Sequence, residues 1–178
     1  MSARRILQLG NPLLRAVSTP SSDSGECERI LTDLRDTLHE FQRTRGFGRG
    51  ISAVQIGEPK RLLYLEFRGR PYTLVNPEWD WRSEETFRLW DDCFSFPDLL
   101  VYVERSCAVR VRYQDLCGAS HVLEAENDLS ELLQHEMDHL DGILTIDRAI
   151  DRNSFCTREE WLRQGHPATR PEAFASKT

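Results

Sequence analysis

No run in this 178-residue sequence approaches the roughly 18 consecutive apolar residues that a membrane-spanning helix needs, and its N-terminal segment has no apolar core of the secretory type. Both absences lead to the expectation of a soluble, cytoplasmic protein with no membrane partner. An excess of positive charge is missing too. Acidic and basic residues are interspersed and the formal net charge is -6, so the sequence carries no footprint for direct nucleic-acid binding. The expected partner is therefore a small molecule or a peptide. Paired cysteines are also lacking: Cys27, Cys93, Cys107, Cys117 and Cys156 are odd in number and scattered, which excludes a disulfide framework and leaves reduced thiols, any of which is available to a metal. Internal repeats and domain linkers are absent, and the length suits one domain able to bury most of its apolar surface.

What the sequence does contain is one amphipathic helix, a block of strands and a second helix. After the loop TPSSDSG (19–25), Cys27, Ile30, Leu31, Leu34, Leu38 and Phe41 recur at three and four, predicting a helix that ends near RTRGFG. Short stretches rich in Val, Leu and Tyr at 61–67, 71–77, 99–104, 107–113 and 121–126, separated by Gly, Pro and Asp turns, predict antiparallel strands. Leu129, Leu132, Leu133 and Leu140 then return to helical spacing, with Gly142 as the stop. A last short helix is expected at TREEWLRQG, where Thr157 and Glu160 have capping-box spacing, before a polar tail. The fold class that follows is α+β, with antiparallel strands around a central helix.

That central helix carries LLQHEMDHLDG (132–142). Residues four apart lie on one helical face, so His135 and His139 can converge on one cation, while Glu136 is turned away from both and free to act as a general base toward water. The plainer alternative is a pair of solvated helix histidines. Two histidines name only two ligands, and three candidates compete for the third. Thr145 occupies the position at which one zinc-protease class has a third histidine, which speaks against that class. Glu159 or Glu160 lies where a second class takes a downstream glutamate, although a capping role already accounts for Glu160. Cys93, in LWDDCFSFPD, could reach a metal from a turn between strands, or could be a buried free thiol, the commonest fate of the type.

The stretch GFGRGISAVQIG (46–57) adds a glycine cluster that lets backbone approach a ligand closely, and places the Gln55 amide where it can polarise a carbonyl oxygen. Glycines after a helix also simply end it. In order and spacing, however, GRGISAVQIG, DDCFS and QHEMDHLDG together resemble the three motifs of the peptide deformylases, and LGNPLLRAVS and ILTIDR extend the resemblance over roughly residues 5 to 150. We accordingly expect a deformylase-like catalytic domain over 1–150, with 151–178 as a C-terminal helix and polar tail rather than a separate domain.

The resemblance implies that Cys93, His135 and His139 hold one divalent metal, with Fe2+ expected natively and Zn2+, Ni2+ or Co2+ as alternatives. It implies that Glu136 manages protons, that Gln55 and the backbone amide of Phe94 stabilise the oxyanion, and that Gly50 gives its backbone to the substrate. The implied reaction is removal of the N-formyl group from N-formylmethionyl peptides with release of formate, and association with the ribosome follows from that substrate. This sequence departs from the pattern at several points. Asp91 stands for the usual glutamate, which in the family pairs with an arginine beyond the next strand, matched here by Arg105. Asp92 stands for a glycine, and would be strained if the backbone there were left-handed. Arg49 and Glu131 stand where aliphatic residues help line the pocket for the methionine side chain, beside Leu132. If the two pair, the cleft is polar and a different, more polar N-formyl substrate becomes an alternative. If Asp128 caps the helix with Glu131 as its capping-box partner, Arg49 is left in solvent. A metal-binding homologue with impaired catalysis is a third reading.

Overall fold

The computed structural model describes residues 3–167. Helix α1 (Ser24–Arg45) starts where the Asp23 side chain accepts from the Glu26 amide and ends at Gly46, whose φ of 78° supplies a left-handed cap. A five-stranded antiparallel sheet has the order β1 (Gly50–Ser52), β2 (Leu62–Phe67), β3 (Arg70–Arg82), β6 (Ala108–Gln114), β7 (Ser120–Glu126). A three-stranded sheet has the order β4 (Thr86–Asp92), β5 (Leu99–Ser106), β8 (Phe155–Thr157). Helix α2 (Asn127–Leu140) runs through the middle, and α3 (Arg158–Arg163) closes the described chain.

Alternation along β2 organises the packing. Leu62 and Tyr64 face α1, joining Ile30, Leu34 and Leu38 in one core cluster. Their neighbours Leu63 and Leu65 face the other way, joining Leu133, Met137 and Leu140 of α2 in a second. A third cluster, including Leu14, Leu89, Val101, Val103 and Leu144, lies on the small sheet and contains Cys93. Every residue from Ser130 to Leu140 is buried, so α2 is central to the fold. Each fully buried leucine of this kind contributes about 1.5–3 kcal/mol. No helix among the described residues is long and apolar enough to cross a membrane.

Both long helices and the strand block match the sequence-based expectation, with instructive differences. Strand β4 was not expected, because its Arg88, Asp91 and Asp92 break the apolar signature; it exists because β5 supplies a seven-residue partner register from Thr86↔Ser106 to Asp92↔Leu100. Strand β3 runs past Pro77, where the expected strand stopped. Its register shifts between Val75 and Glu78, so the proline sits in a bulge and no ladder donor is needed from it. Helix α2 begins at Asn127 with Glu126 at the cap position, so Asp128 lies inside the first turn and is not the cap. At α3, the Thr157 hydroxyl accepts from the Glu160 amide at 3.2 Å, but the Glu160 carboxylate turns to Arg163, leaving half of the expected capping box. Residues 168–178 of the C-terminal helix and polar tail expected over 151–178 lie outside the described residues.

Candidate metal centre

Strand β4 ends at Asp92, and the turn that follows delivers Cys93 to the face of α2. Its Sγ lies 3.2 Å from Nε2 of His139, and the rings of His135 and His139, one helical turn apart, meet edge to face with centroids at 5.0 Å. The ligand atoms of Cys93, His135 and His139 all lie within 4.8 Å of one another and all three residues are buried. One thiol and two imidazoles, converging from a turn and a helix with room for a fourth ligand, fit the catalytic rather than the closed structural type of metal site.

The outer side of this set is built to orient it. Nδ1 of His135 is 2.9 Å from Asp91 Oδ2, which leaves Nε2 facing Cys93 and His139. Asp91 is shared with Arg105 at 3.3 Å, and Arg105 also donates to Asp138 at 2.6 Å, so the shorter carboxylate does preserve the expected contact. Arg105 sits within β5 rather than beyond it. Burial raises the Asp91 carboxyl, but His135 and Arg105 outweigh it and hold the group below the ordinary carboxylate range. Burial, reinforced by the neighbouring His135, pushes His139 well below its usual value, toward the neutral imidazole that ligates. Nδ1 of His139 has no hydrogen-bond partner among the described residues. Asp91, Glu131 and His135 also come within 4.8 Å of each other, but there Nδ1 is already committed to Asp91.

Glu136 is buried beside the two histidines, and its Oε2 accepts from the Ser52 hydroxyl at 2.6 Å. Ser52 was not singled out from the sequence; a serine between two motif positions carries no signal until the strand that holds it is placed. Gly50 makes the approach of Glu136 feasible, since a Cβ there would lie 2.7 Å from Glu136 Oε1 and 2.8 Å from Leu65. Burial lifts the Glu136 carboxyl, opposed by His135 and by the Ser52 hydrogen bond. Gln55 lies in a 3-10 turn, where its Oε1 accepts from the Ser52 amide at 3.0 Å. That contact fixes the amide so that Nε2 faces Cys93 Sγ at 3.7 Å and Ser95 Oγ at 3.3 Å. Phe94 follows Cys93, its ring stacked on Phe41 at 3.9 Å and occupying the space that a side chain at Gly48 would fill.

A cavity of about 310 Å³ opens from His135 and Glu136 and is walled by Leu132, Glu131, Phe47 and Arg49. Arg49 Nη2 donates to Glu131 Oε2 at 2.8 Å, and Glu131 is 1% exposed. The expected alternative, a capping role for Asp128 with Arg49 in solvent, is therefore corrected. Burial raises the Glu131 carboxyl to about 8, with Arg49 opposing. The feared strain at Asp92 is likewise corrected: the non-glycine residues with positive φ among those described are Arg68, Asn76 and Asn127. Asp92 is instead paired with Arg158, Nη2 to Oδ2 at 2.5 Å. Nε of Arg158 donates to the Pro97 carbonyl at 2.7 Å, and its guanidinium lies 4.3 Å over the Phe47 ring. Nothing in the sequence ties residue 92 to one 66 positions later.

The competing third ligands do not come together with the histidines. Neither Glu159 nor Glu160 belongs to a cluster able to hold a metal among the described residues. Thr145 is buried with its Oγ1 3.3 Å from His135 Nδ1, on the side of the ring that faces Asp91.

Comparison with known proteins agrees with this geometry. The family model described as polypeptide deformylase matches residues 3–155. A peptide deformylase of Rhizobium meliloti (strain 1021) is 37% identical over 153 residues, which cover 83% of this chain and 85% of that protein. Peptide deformylase 2 of Clostridium perfringens (strain 13 / Type A) is 36% identical over 151 residues, covering 84% and 94%. The crystal structure of peptide deformylase from Thermotoga maritima superposes with a TM-score of 0.80 at 30% identity, over 85% of this chain and 100% of that one.

Proposed function

Since this chain belongs to the polypeptide deformylase family, it is a metal-dependent hydrolase that removes the N-formyl group from nascent peptides, and we propose that Cys93, His135 and His139 are the residues that hold its metal. The single observation that carries this assignment is the convergence of their three ligand atoms within 4.8 Å. When bound there, a divalent metal supplies Lewis acidity, polarising the formyl carbonyl and acidifying water.

The chain's own residues do the rest. Glu136, aimed by Ser52, takes a proton from the attacking water as its oxygen bonds to the formyl carbon, and returns that proton to the peptide nitrogen as the carbon–nitrogen bond breaks. One water is consumed, and formate and a free amino terminus are produced. Gln55 Nε2 and the Phe94 backbone N–H donate to the formyl oxygen as it gains negative charge. Gly50 lies on β1, the edge strand of its sheet, whose free edge can pair with the backbone of an extended peptide. Arg49, Glu131 and Leu132 border the side chain of the residue that bears the formyl group.

We assign Fe2+ as the native ion, with Zn2+, Ni2+ or Co2+ able to replace it, because a thiolate with two imidazoles suits all four. A cytoplasmic setting and access to chains leaving the ribosome fit a substrate that is a nascent peptide. We also place residues 151–167, the described part of the C-terminal segment, with the catalytic domain rather than in a separate one. In support, β8 pairs with β5 from Leu99↔Thr157 to Val101↔Phe155, and Trp161 packs on Trp90 with centroids 5.7 Å apart.

The test is anaerobic purification, metal determination and an assay of formate released from formyl-Met-Ala-Ser. Near-stoichiometric metal with formate release supports the reading; full metal with no release overturns it. Residual metal and activity in a Cys93→Ala variant would refute the ligand assignment.

A further inference from the structure

Glu131 sits one helical turn before His135 on α2, and Arg49, in the loop before β1, meets it at the cavity that His135, Glu136 and Gln55 also line, which is where the side chain of the first substrate residue lies if the formyl carbon is to reach Glu136 and Gln55. Leu132 supplies an apolar surface beside them. Glu131 is 1% exposed and holds Nη2 of Arg49 at 2.8 Å, whereas the Arg49 side chain is 31% exposed and borders the cavity. A guanidinium has five N–H donors, and Glu131 is the one side chain among the described residues that accepts from Arg49. Because the Arg49 side chain lines the cavity, its remaining donors are available to the space a substrate side chain would fill. The contact does not depend on the charge of Glu131, because a neutral carboxylic acid also accepts through its carbonyl oxygen.

Filling that space with a hydrocarbon strips water from those donors and gives nothing back. Filling it with a side chain bearing a hydrogen-bond acceptor keeps them satisfied. We propose that Arg49, held in place by Glu131, is a specificity-determining residue that makes this deformylase favour N-formyl peptides whose first side chain carries a hydrogen-bond acceptor over hydrocarbon side chains of equal length. This inference rests on the deformylase reading and adds the side-chain preference to it.

The experiment compares formate release from formyl-Gln-Ala-Ser and formyl-norleucine-Ala-Ser, as kcat/KM, by anaerobically prepared, metal-loaded protein. The same two substrates are given to an Arg49→Leu/Glu131→Leu double variant and to an Arg49→Met single variant, whose change lies at a partly exposed site and keeps the fold accessible if the double variant does not fold. The expected result is a Gln-to-norleucine ratio above one in the unaltered protein, falling by roughly 10- to 100-fold in the variants. A preference for norleucine in the unaltered protein, or a ratio that stays within twofold in whichever variant is active, overturns the proposal while leaving deformylation intact. Formate released from neither peptide nor from formyl-Met-Ala-Ser overturns the functional reading, and this inference with it.

Discussion

Replacing Arg158 by alanine tests whether Asp92 is tolerated because of a residue 66 positions away. The two side chains are 17% and 15% exposed, and their contact is 2.5 Å. Removing one partner of a fully buried pair costs about 3–5 kcal/mol, because the other charge is left stranded; with about one-sixth of each side chain still in water, about 2–3 kcal/mol is the expected loss. For a chain of this size that corresponds to a fall of roughly 4–12 °C in Tm. The loss should be specific to the charge. In Asp92→Gly/Arg158→Ala no carboxylate remains to be stranded, so the double variant should recover at least about 1 kcal/mol relative to Arg158→Ala alone, a coupling readable in a double-mutant cycle. Urea unfolding of the four metal-loaded proteins measures it. An Arg158→Ala variant within about 0.5 kcal/mol of the parent, or a double variant no better than the single, would refute the argument, since changes without a buried partner cost no more than that.

Cys93→Ala should lose the metal, while Glu160→Gln should retain it, as read by elemental analysis of protein purified without oxygen; metal lost from the glutamine variant would restore the downstream-ligand reading. Gln55→Ala should lower kcat by roughly 10²–10³, the usual cost of one oxyanion donor, with little change in bound metal; an unchanged kcat would remove Gln55 from that role. Stripping the metal should lower Tm, and adding it back should restore Tm in a concentration-dependent way, because a ligand bound only by the folded state stabilises it by mass action. Tyr64 is pushed up to about 12, by burial and then by its hydrogen bond to Glu66. An ultraviolet titration should show a phenol ionising above the ordinary tyrosine range, a step absent from Tyr64→Phe. Because its folded value exceeds the unfolded value of about 10, the associated stability is complete below that pH and is lost as pH rises toward 12.

The residues proposed to bind and react gave the clearest signals in this sequence. His135, Glu136 and His139 announce themselves by spacing on one helix, because a separation of four puts both rings on one face, a turn apart. Cys93 needed the order of three motifs, since a lone cysteine is as often a buried hydrophobe. Helix α1 was legible because one apolar stripe persists over its whole length. Strand β4 was not, because Arg88 and Asp92 interrupt its apolar residues and the inward Asp91 is itself an acid that becomes acceptable only against His135 and Arg105. The length of β3 was hidden by Pro77, which ends a regular strand but not a bulged one. Ser52 and Arg158 were invisible for a shared reason: each acts through a contact with a residue far along the chain, and neither lies in a periodic pattern.

The departures from the family pattern turn out to be compensated in pairs. Asp92, where a glycine is usual, meets Arg158; Glu131, where an aliphatic residue is usual, meets Arg49. Chance replacement of an apolar or absent side chain by a buried acid would leave an uncompensated charge and be strongly destabilising. Two acids each matched by an arginine, both acids lining the cavity that His135 and Glu136 also line while Cys93, His135 and His139 stay close enough to hold a metal, argue that the cleft has been remodelled around the proposed centre rather than allowed to decay. The two pairs differ in what they can do. Arg158 is spent on the Asp92 carboxylate, the Pro97 carbonyl and the Phe47 ring, so it braces the turn that presents Cys93 and Phe94. Arg49 donates to one side chain among the described residues, Glu131, and lines the cavity, so on the proposal above its other donors bear on what enters.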